Sequence, residues 1–355
     1  MNVLSCMKIR MFSEFKINRK KDYHRFIICF KIMLFGLALT SCADRTVDTN
    51  DPSDDILDPG EAGPFFWIST NGPNNGEVLC LEIDSRGFLF AGTRSGGVFK
   101  STNQGQTWNA FRRDLPGTAV HTLVITSQGM LFAATNSAGL YRTHIDTLNW
   151  RQSNLNDTTA RALAVNSQGH IFVATANGVF RSQDDGLRWE RKNSNLDGIN
   201  VISFAINSGD KIFAGTTQNG IFTSMDNGES WEQNSFGVGS VPSISLNRFE
   251  NVFVATTGFG AFISETNGDT WTVPIDGFTA DTVFAFSFNS AGFGFASGAG
   301  IGVLRSANNG FNWESFNDSL AVTSVLSLVL DNDEVLYAGS ANGIVYRTTR
   351  TTILP

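Results

Sequence analysis

The chain reads as all-β, a seven-bladed β-propeller of four-stranded blades in which an N-terminal strand closes the last blade. Three observations point there. All seven tryptophans (Trp67, Trp108, Trp150, Trp189, Trp231, Trp271 and Trp313) share one register, with gaps of 41, 42, 39, 42, 40 and 42 residues. Self-similarity at about 40–45 residues is the period of a propeller blade. The composition, with 35 Gly, 30 Phe and only 8 Pro, suits short strands joined by tight turns. Finally, the strand count closes a ring only if the first strand is lent to the last unit.

Within each unit a first strand such as Leu123-Val124-Ile125 ends in a turn such as Ser127-Gln128-Gly129. The second strand reads Leu131-Phe132-Ala133-Ala134-Thr135, echoed by Ile171-Phe172-Val173-Ala174-Thr175 and Val252-Phe253-Val254-Ala255-Thr256. Its Gly and Ala residues let adjacent sheets approach closely. A Gly-containing turn leads to a third strand such as Gly178–Ser182, and the fourth strand is expected to begin at the Trp. The segment Phe65 to Ser69 carries Trp67 alone, and the last unit holds only three strands, near 324–330, 335–339 and 344–348. The N-terminal strand is therefore expected to complete the last blade and remove the exposed edges.

A recurring segment stands before five of the tryptophans. It comprises Ser101, Asn103 and Gly105 before Trp108, then Ser182, Asp184 and Gly186 before Trp189. The same pattern gives Ser224, Asp226 and Gly228 before Trp231, Ser264 and Gly268 before Trp271, and Ser306, Asn308 and Gly310 before Trp313. Gly supplies a positive φ, and the Asp or Asn oxygen accepts backbone N–H bonds inside the turn. The segment before Trp150, Thr143 to Asn149, lacks both Asp and Gly at their usual places and is expected to be the least regular. Asp184-Asp185-Gly186 is too short for a calcium loop and has no distal bidentate Glu.

These segments resemble the Asp box, Ser-x-Asp-x-Gly-x-Thr-Trp, also called the bacterial neuraminidase repeat (BNR). Seven-bladed Asp-box rings similar to photosystem II assembly factors, and the larger sortilin-like receptors, imply a rigid scaffold for protein or peptide binding. Sialidases also carry the box. Their resemblance implies an arginine triad, a Tyr nucleophile paired with Glu and an acid/base Asp, none of which is identifiable here. Beyond the leader the only tyrosines are Tyr141, Tyr337 and Tyr346, each within a strand motif.

The first 41 residues are different material. Eight basic residues precede an apolar stretch, Ile32 to Leu39, followed by Leu39-Thr40-Ser41-Cys42. That order describes a secretory signal, with an uncleaved N-terminal anchor as the alternative. The four residues resemble a bacterial lipobox, which implies cleavage before Cys42 and its lipidation, so that Cys42 anchors the protein to a membrane. Residues 42–63 then form a flexible tether with seven acids and two prolines, and 64–355 the propeller. Without the leader, 18 of 26 basic and 31 of 33 acidic residues remain, a net charge of about −13 that disfavours nucleic acid as a partner. Cys80 is then the lone thiol, read as a buried strand residue.

No cofactor motif is present. His121, His144 and His170 are read as falling in different blades, so no metal site is expected. One asymmetry suggests a ligand surface. Of the 18 remaining Lys and Arg, 13 lie within residues 45–192. Arg112, Arg113, Arg151, Arg191 and Lys192 fall in inter-blade loops, with His121 and Arg161 near the starts of first strands. Such a sector on an acidic chain would attract an anionic glycan or an acidic protein loop. The expected function is a non-catalytic, outer-membrane-anchored scaffold of the cell envelope, a monomeric ring binding protein, peptide or glycan. The alternative is a glycan-active hydrolase of sialidase-like or other type, using loop carboxylates among Asp114, Asp157, Asp197, Asp276, Asp281 and Asp318.

Overall fold

The second strand of each unit reads as an unbroken apolar run because both of its faces are covered. In the computed structural model these strands are buried along nearly their whole length. The structure describes residues 66–117, 119–155, 159–234, 236, 239–272, 275, 278 and 283–349. The chain divides into two units, Met1–Glu61 and Ala62–Pro355. The expected leader, Cys42 and most of the acidic tether belong to the first, and all lie outside the described residues.

Strand β1 spans Trp67–Pro73. The first sheet holds β2 (Val78–Ile83), β3 (Leu89–Thr93), β4 (Gly97–Ser101) and β5 (Asn109–Ala110). The second holds β6 (Val120–Ile125), β7 (Met130–Thr135), β8 (Gly139–His144) and β9 (Arg151–Gln152). The third comprises β10 (Ala160–Val165), β11 (Ile171–Thr175), β12 (Gly178–Ser182) and β13 (Glu190–Arg191). The fourth comprises β14 (Val201–Ile206), β15 (Ile212–Thr216), β16 (Ile221–Ser224) and β17 (Glu232–Gln233). The fifth shows three strands among the described residues, β18 (Ser243–Leu246), β19 (Val252–Thr256) and β20 (Gly260–Ser264). The sixth has β21 (Val283–Phe288), β22 (Gly294–Gly298), β23 (Gly302–Ser306) and β24 (Glu314–Ser315). The seventh joins β25 (Val325–Leu330), β26 (Leu336–Ser340) and β27 (Ile344–Thr348) to β1.

Every described pairing is antiparallel, and each first strand touches the first strand of the next sheet around to β25 against β2. The molecule is therefore a seven-bladed β-propeller. The N-terminal strand closes it, with Trp67 opposite Thr348 and Ile68 opposite Arg347. Two details differ from the expectation. β1 extends to Pro73 rather than ending at Ser69. The described fourth strands begin one residue after the Trp and are two residues long, because the indole turns into the space between sheets instead of joining the ladder.

Close approach of sheets explains the small residues in the second strands. A Cβ at Gly215 would lie 2.5 Å from the Val241 carbonyl oxygen of the next sheet. Indoles then bolt the blades together. Trp150 Nε1 donates to the Phe111 carbonyl at 2.7 Å, Trp231 Nε1 to that of Lys192 at 2.9 Å, and Trp189 Nε1 to Ser153 Oγ at 2.8 Å. Each bond reaches back one sheet. Long cations reach forward, Arg142 to the Asp185 carbonyl and Arg181 to the Asn227 carbonyl at 2.8 Å, and Lys211 to that of Asn267 at 2.7 Å.

The five recurring turns share one hydrogen-bond scheme. The buried Ser hydroxyl accepts the Gly N–H four residues on, at 2.9 Å for Ser101, Ser182, Ser224 and Ser306 and 2.8 Å for Ser264. The oxygen two residues after the Ser accepts a second amide, as from Thr107 to Asn103 Oδ1 at 2.9 Å. Both Gly228 and the residue before it, Asn227, have positive φ, 85° and 60°. The segment before Trp150 is different in kind. Thr143 Oγ1 meets Thr147 Oγ1 at 3.1 Å, and β8 runs one residue longer than β4 or β12.

Replacing Ser224 by Ala strands the buried Gly228 amide. It is expected to cost about 1–3 kcal/mol, read from a shift in the urea midpoint at unchanged slope. An unchanged midpoint would show that the hydroxyl contributes nothing to the turn.

Candidate functional site

Antiparallel blades place the turns after first and third strands at one end of the ring. The turns after second strands and the loops after fourth strands share the other end, termed the loop face here. The cations singled out by sequence divide into three settings. Arg112 Nη1 donates to the Gly96 carbonyl at 3.0 Å and its guanidinium lies 5.8 Å from the Phe99 ring, while Arg113 and Arg151 are exposed.

His121 and Arg161 occupy equivalent irregularities in the inner strands, where the ladder slips between Val120 and Thr122 and between Ala160 and Ala162. Four other first strands slip at the same place. A β-bulge re-aims the extra side chain, so the inner end of the loop face carries Leu79, His121, Arg161, Ile202, Phe284 and Leu326. Arg161 Nη1 donates to Asn200 Oδ1 at 2.8 Å. Burial lowers the His121 pKa, and the charges of Arg94 and Arg161 add to that effect, which keeps the imidazole neutral beside two guanidiniums.

Lys192 lies elsewhere. Its ammonium meets Glu229 at 2.7 Å and Glu190 at 3.1 Å, and Arg181 reaches the same pair at 3.0 and 3.3 Å. The Lys192 hydrogen bonds hold both carboxyls below their ordinary pKa. This four-charge cluster ties the third sheet to the fourth.

Arg191 sits at the mouth of a cavity of about 500 Å³ on the loop face of the third sheet, lined also by Asn177, Phe180, Asn193, Leu196 and Asn200. Asn193 Oδ1 accepts the Val179 amide at 2.7 Å, folding the loop over the turn. Arg191 Nη2 donates to the Asn177 carbonyl at 3.2 Å and lies 3.6 Å from Asp197. The cavity has a cause in the chain. Thr175 to Gly178 is one residue shorter than Thr93 to Gly97, Thr135 to Gly139 or Thr216 to Gly220. In the seventh sheet Ser340 Oγ donates to the Ile344 carbonyl four residues on, so that turn keeps the ordinary length. There the Asn74 amide donates to the Gly343 carbonyl at 2.9 Å, so the segment following β1 covers the turn.

Sequence reasoning named Arg191 and Arg161 but not Phe180 or the three asparagines. The signal available was the shortened turn. Among the loop carboxylates, Asp114, Asp197 and Asp318 are described, while Asp157, Asp276 and Asp281 lie outside the described residues. His121 and His144 prove to share the second sheet, at opposite ends of strands β6 and β8, because the chain passes down two of its strands. Among the described residues no three His, Cys, Asp or Glu side chains converge.

Comparison with known proteins supports the fold. Residues 67–200 match the DUF6242 beta propeller domain family. No curated protein matches the chain. Among solved structures, the chain is similar to the extracellular domain assigned to a hybrid two component system of B. thetaiotaomicron, with a TM-score of 0.67 at 17% identity over 79% of this chain and 39% of that one. It thus spans about two fifths of that protein. It is similar to YCF48 from Cyanidioschyzon merolae, with a TM-score of 0.63 at 13% identity over 79% of this chain and 98% of that one. A further YCF48 structure holds a D1 peptide. Virginiamycin B lyase from Staphylococcus aureus gives a TM-score of 0.66 at 14% identity, covering 82% of this chain and 99% of that one. At these identities the likeness is one of fold.

Proposed function

We propose that the protein is a non-catalytic binding scaffold of the cell envelope, anchored through lipid on Cys42, whose loop face captures a protein, peptide or glycan. The observation that carries this reading is the clustering of cations on the loop face of the first three sheets of an acidic chain. Exposed Arg113, Arg151 and Arg191 ring the outer part of that face, and Arg94 and Arg161 stand near His121 at its inner end. Glu77 and Asp197 pair with Arg94 and Arg191 on this face, and the remaining excess of positive charge raises the local concentration of an acidic partner and speeds its encounter. The peptide held by YCF48 and the extracellular placement of the two-component domain accord with a binding role at a cell surface. The Asp boxes hold the turns at the opposite end of five of the blades and take no part in the site.

Reversing Arg112, Arg113 and Arg151 to Glu is expected to abolish capture of the partner from envelope extract while leaving the melting temperature within a few degrees of the parent. Undiminished capture would remove this surface from the function. Turnover of a glycoside that Asp114→Asn abolishes would replace the scaffold by a hydrolase.

A further inference from the structure

We infer that the cavity of the third blade is a saccharide subsite selective for an acidic sugar, a uronate, with Arg191 reading its carboxylate. This deepens the scaffold reading and rests on it. Three features coincide here. The short turn between β11 and β12 leaves an opening of about 500 Å³, the size of a di- or trisaccharide. Phe180 and Arg191 are cross-strand partners, so their side chains emerge on one face. The corresponding partner is Ala110 opposite Phe99, Gln152 opposite Tyr141, Gln233 opposite Phe222 and Ser315 opposite Leu304. Among these described pairs a cation appears only in the blade with the opening.

The lining matches both halves of a uronate. Phe180, half-buried, presents carbon surface to the C–H face of a pyranose, with buried Leu196 packed beneath the site. Asn193 and Asn200, whose Oδ1 atoms accept from the Val179 amide and from Arg161, turn their Nδ2 groups to serve as donors to ring hydroxyls, and Arg191 offers the planar fork that pairs with a carboxylate. Arg161, bonded to Asn200 at 2.8 Å, adds a second positive charge behind the amides. The site also shows what Arg191 accepts. Asp197, with its side chain 82% exposed, lies 3.6 Å from the guanidinium. A ligand carboxylate takes the place of this loosely held internal one. An acidic peptide would satisfy Arg191 but leave the carbon wall and amides without their complement.

Calorimetric titration of the purified protein with trigalacturonate, the neutral galactose trisaccharide and an Asp/Glu-rich hexapeptide tests this. Trigalacturonate is expected to bind, with the neutral sugar weaker by about tenfold or more, the loss of one charge-assisted pair. Arg191→Gln is expected to erase that preference. Asp197→Asn, which removes the internal competitor, is expected to tighten trigalacturonate by about threefold. Both substitutions lie at exposed positions, so the folded ring is retained and their opposite signs are readable. Equal binding of the two sugars, binding of the peptide alone, no binding of trigalacturonate, or an unaltered preference in Arg191→Gln overturns the uronate subsite. Capture of an envelope partner that survives Arg191→Gln would leave the scaffold reading standing without it.

Discussion

Deleting residues 67–73 is expected to replace one cooperative thermal transition by a broad one starting at far lower temperature. β1 is the outer strand of the seventh sheet, and it also touches both neighbours. Trp67, 3% exposed, donates its indole N–H to the Phe316 carbonyl at 2.7 Å and packs edge-on against the Phe316 ring of the sixth sheet. Toward the first sheet, Asn71 Nδ2 donates to the Gln106 carbonyl at 2.9 Å, and Thr70 Oγ1 accepts the Trp108 indole at 3.3 Å. Removal thus opens the ring on both sides of the closing blade and bares the β27 edge. Truncating a buried aromatic to Ala alone costs about 3–5 kcal/mol. Most domains have only about 5–15 kcal/mol in total, so losing the strand takes most of the margin. Trp67→Ala should show the smaller loss as an intact but earlier transition. A deletion variant that melts like the parent would mean that the ring closes without β1.

The ring and its closure were legible because they rest on repetition. A tryptophan every 39 to 42 residues marks each blade, and a missing fourth strand at one end matches a spare strand at the other. The turns were legible in part. Pattern identified Ser101, Asn103 and Gly105 as one unit, yet the geometry makes the Ser hydroxyl the acceptor of the Gly amide and adds a second left-handed residue, Gln104. Neither fact has a compositional signature, since Ser and Gln are ordinary turn residues. The site was less legible because charge along a chain does not say where a long side chain ends. Lys192 and Arg191 are adjacent, but alternation of side chains across the end of β13 sends Lys192, just past the strand, into an inter-sheet ion cluster and Arg191 to the cavity mouth. The cavity itself comes from one deleted residue in one turn, visible only when the seven units are laid over each other.

Glu82→Gln is expected to stabilise the protein at pH 8 and above while leaving it unchanged near pH 4. Glu82 lies on the innermost strand of the first sheet, where the other blades place Val124, Ala164, Ala205, Ser245, Ser287 and Val329. Burial raises its pKa from 4.5 to about 8, and a hydrogen bond from the Ile125 backbone offsets only part of that cost. The folded ring therefore holds this carboxyl protonated at pH values where the unfolded chain has released the proton. Its contribution is fully present below pH 4.5 and is lost as the pH climbs to about 8. Each tenfold difference in proton affinity between folded and unfolded chain is worth about 1.4 kcal/mol. With some allowance for partial access to water, the loss is on the order of 2–4 kcal/mol. Paired carboxyls such as Glu190, Glu229 and Asp226 have their pKa values moved the opposite way, so their contributions vary below pH 4.5. Subtracting the variant's melting temperatures from the parent's across pH 4–9 cancels them and isolates Glu82. The difference should open steadily above pH 4.5 and level off beyond pH 8. Parallel curves would mean that Glu82 ionises in the folded ring as freely as in the unfolded chain, and that its side chain reaches water instead of the packed inner strands.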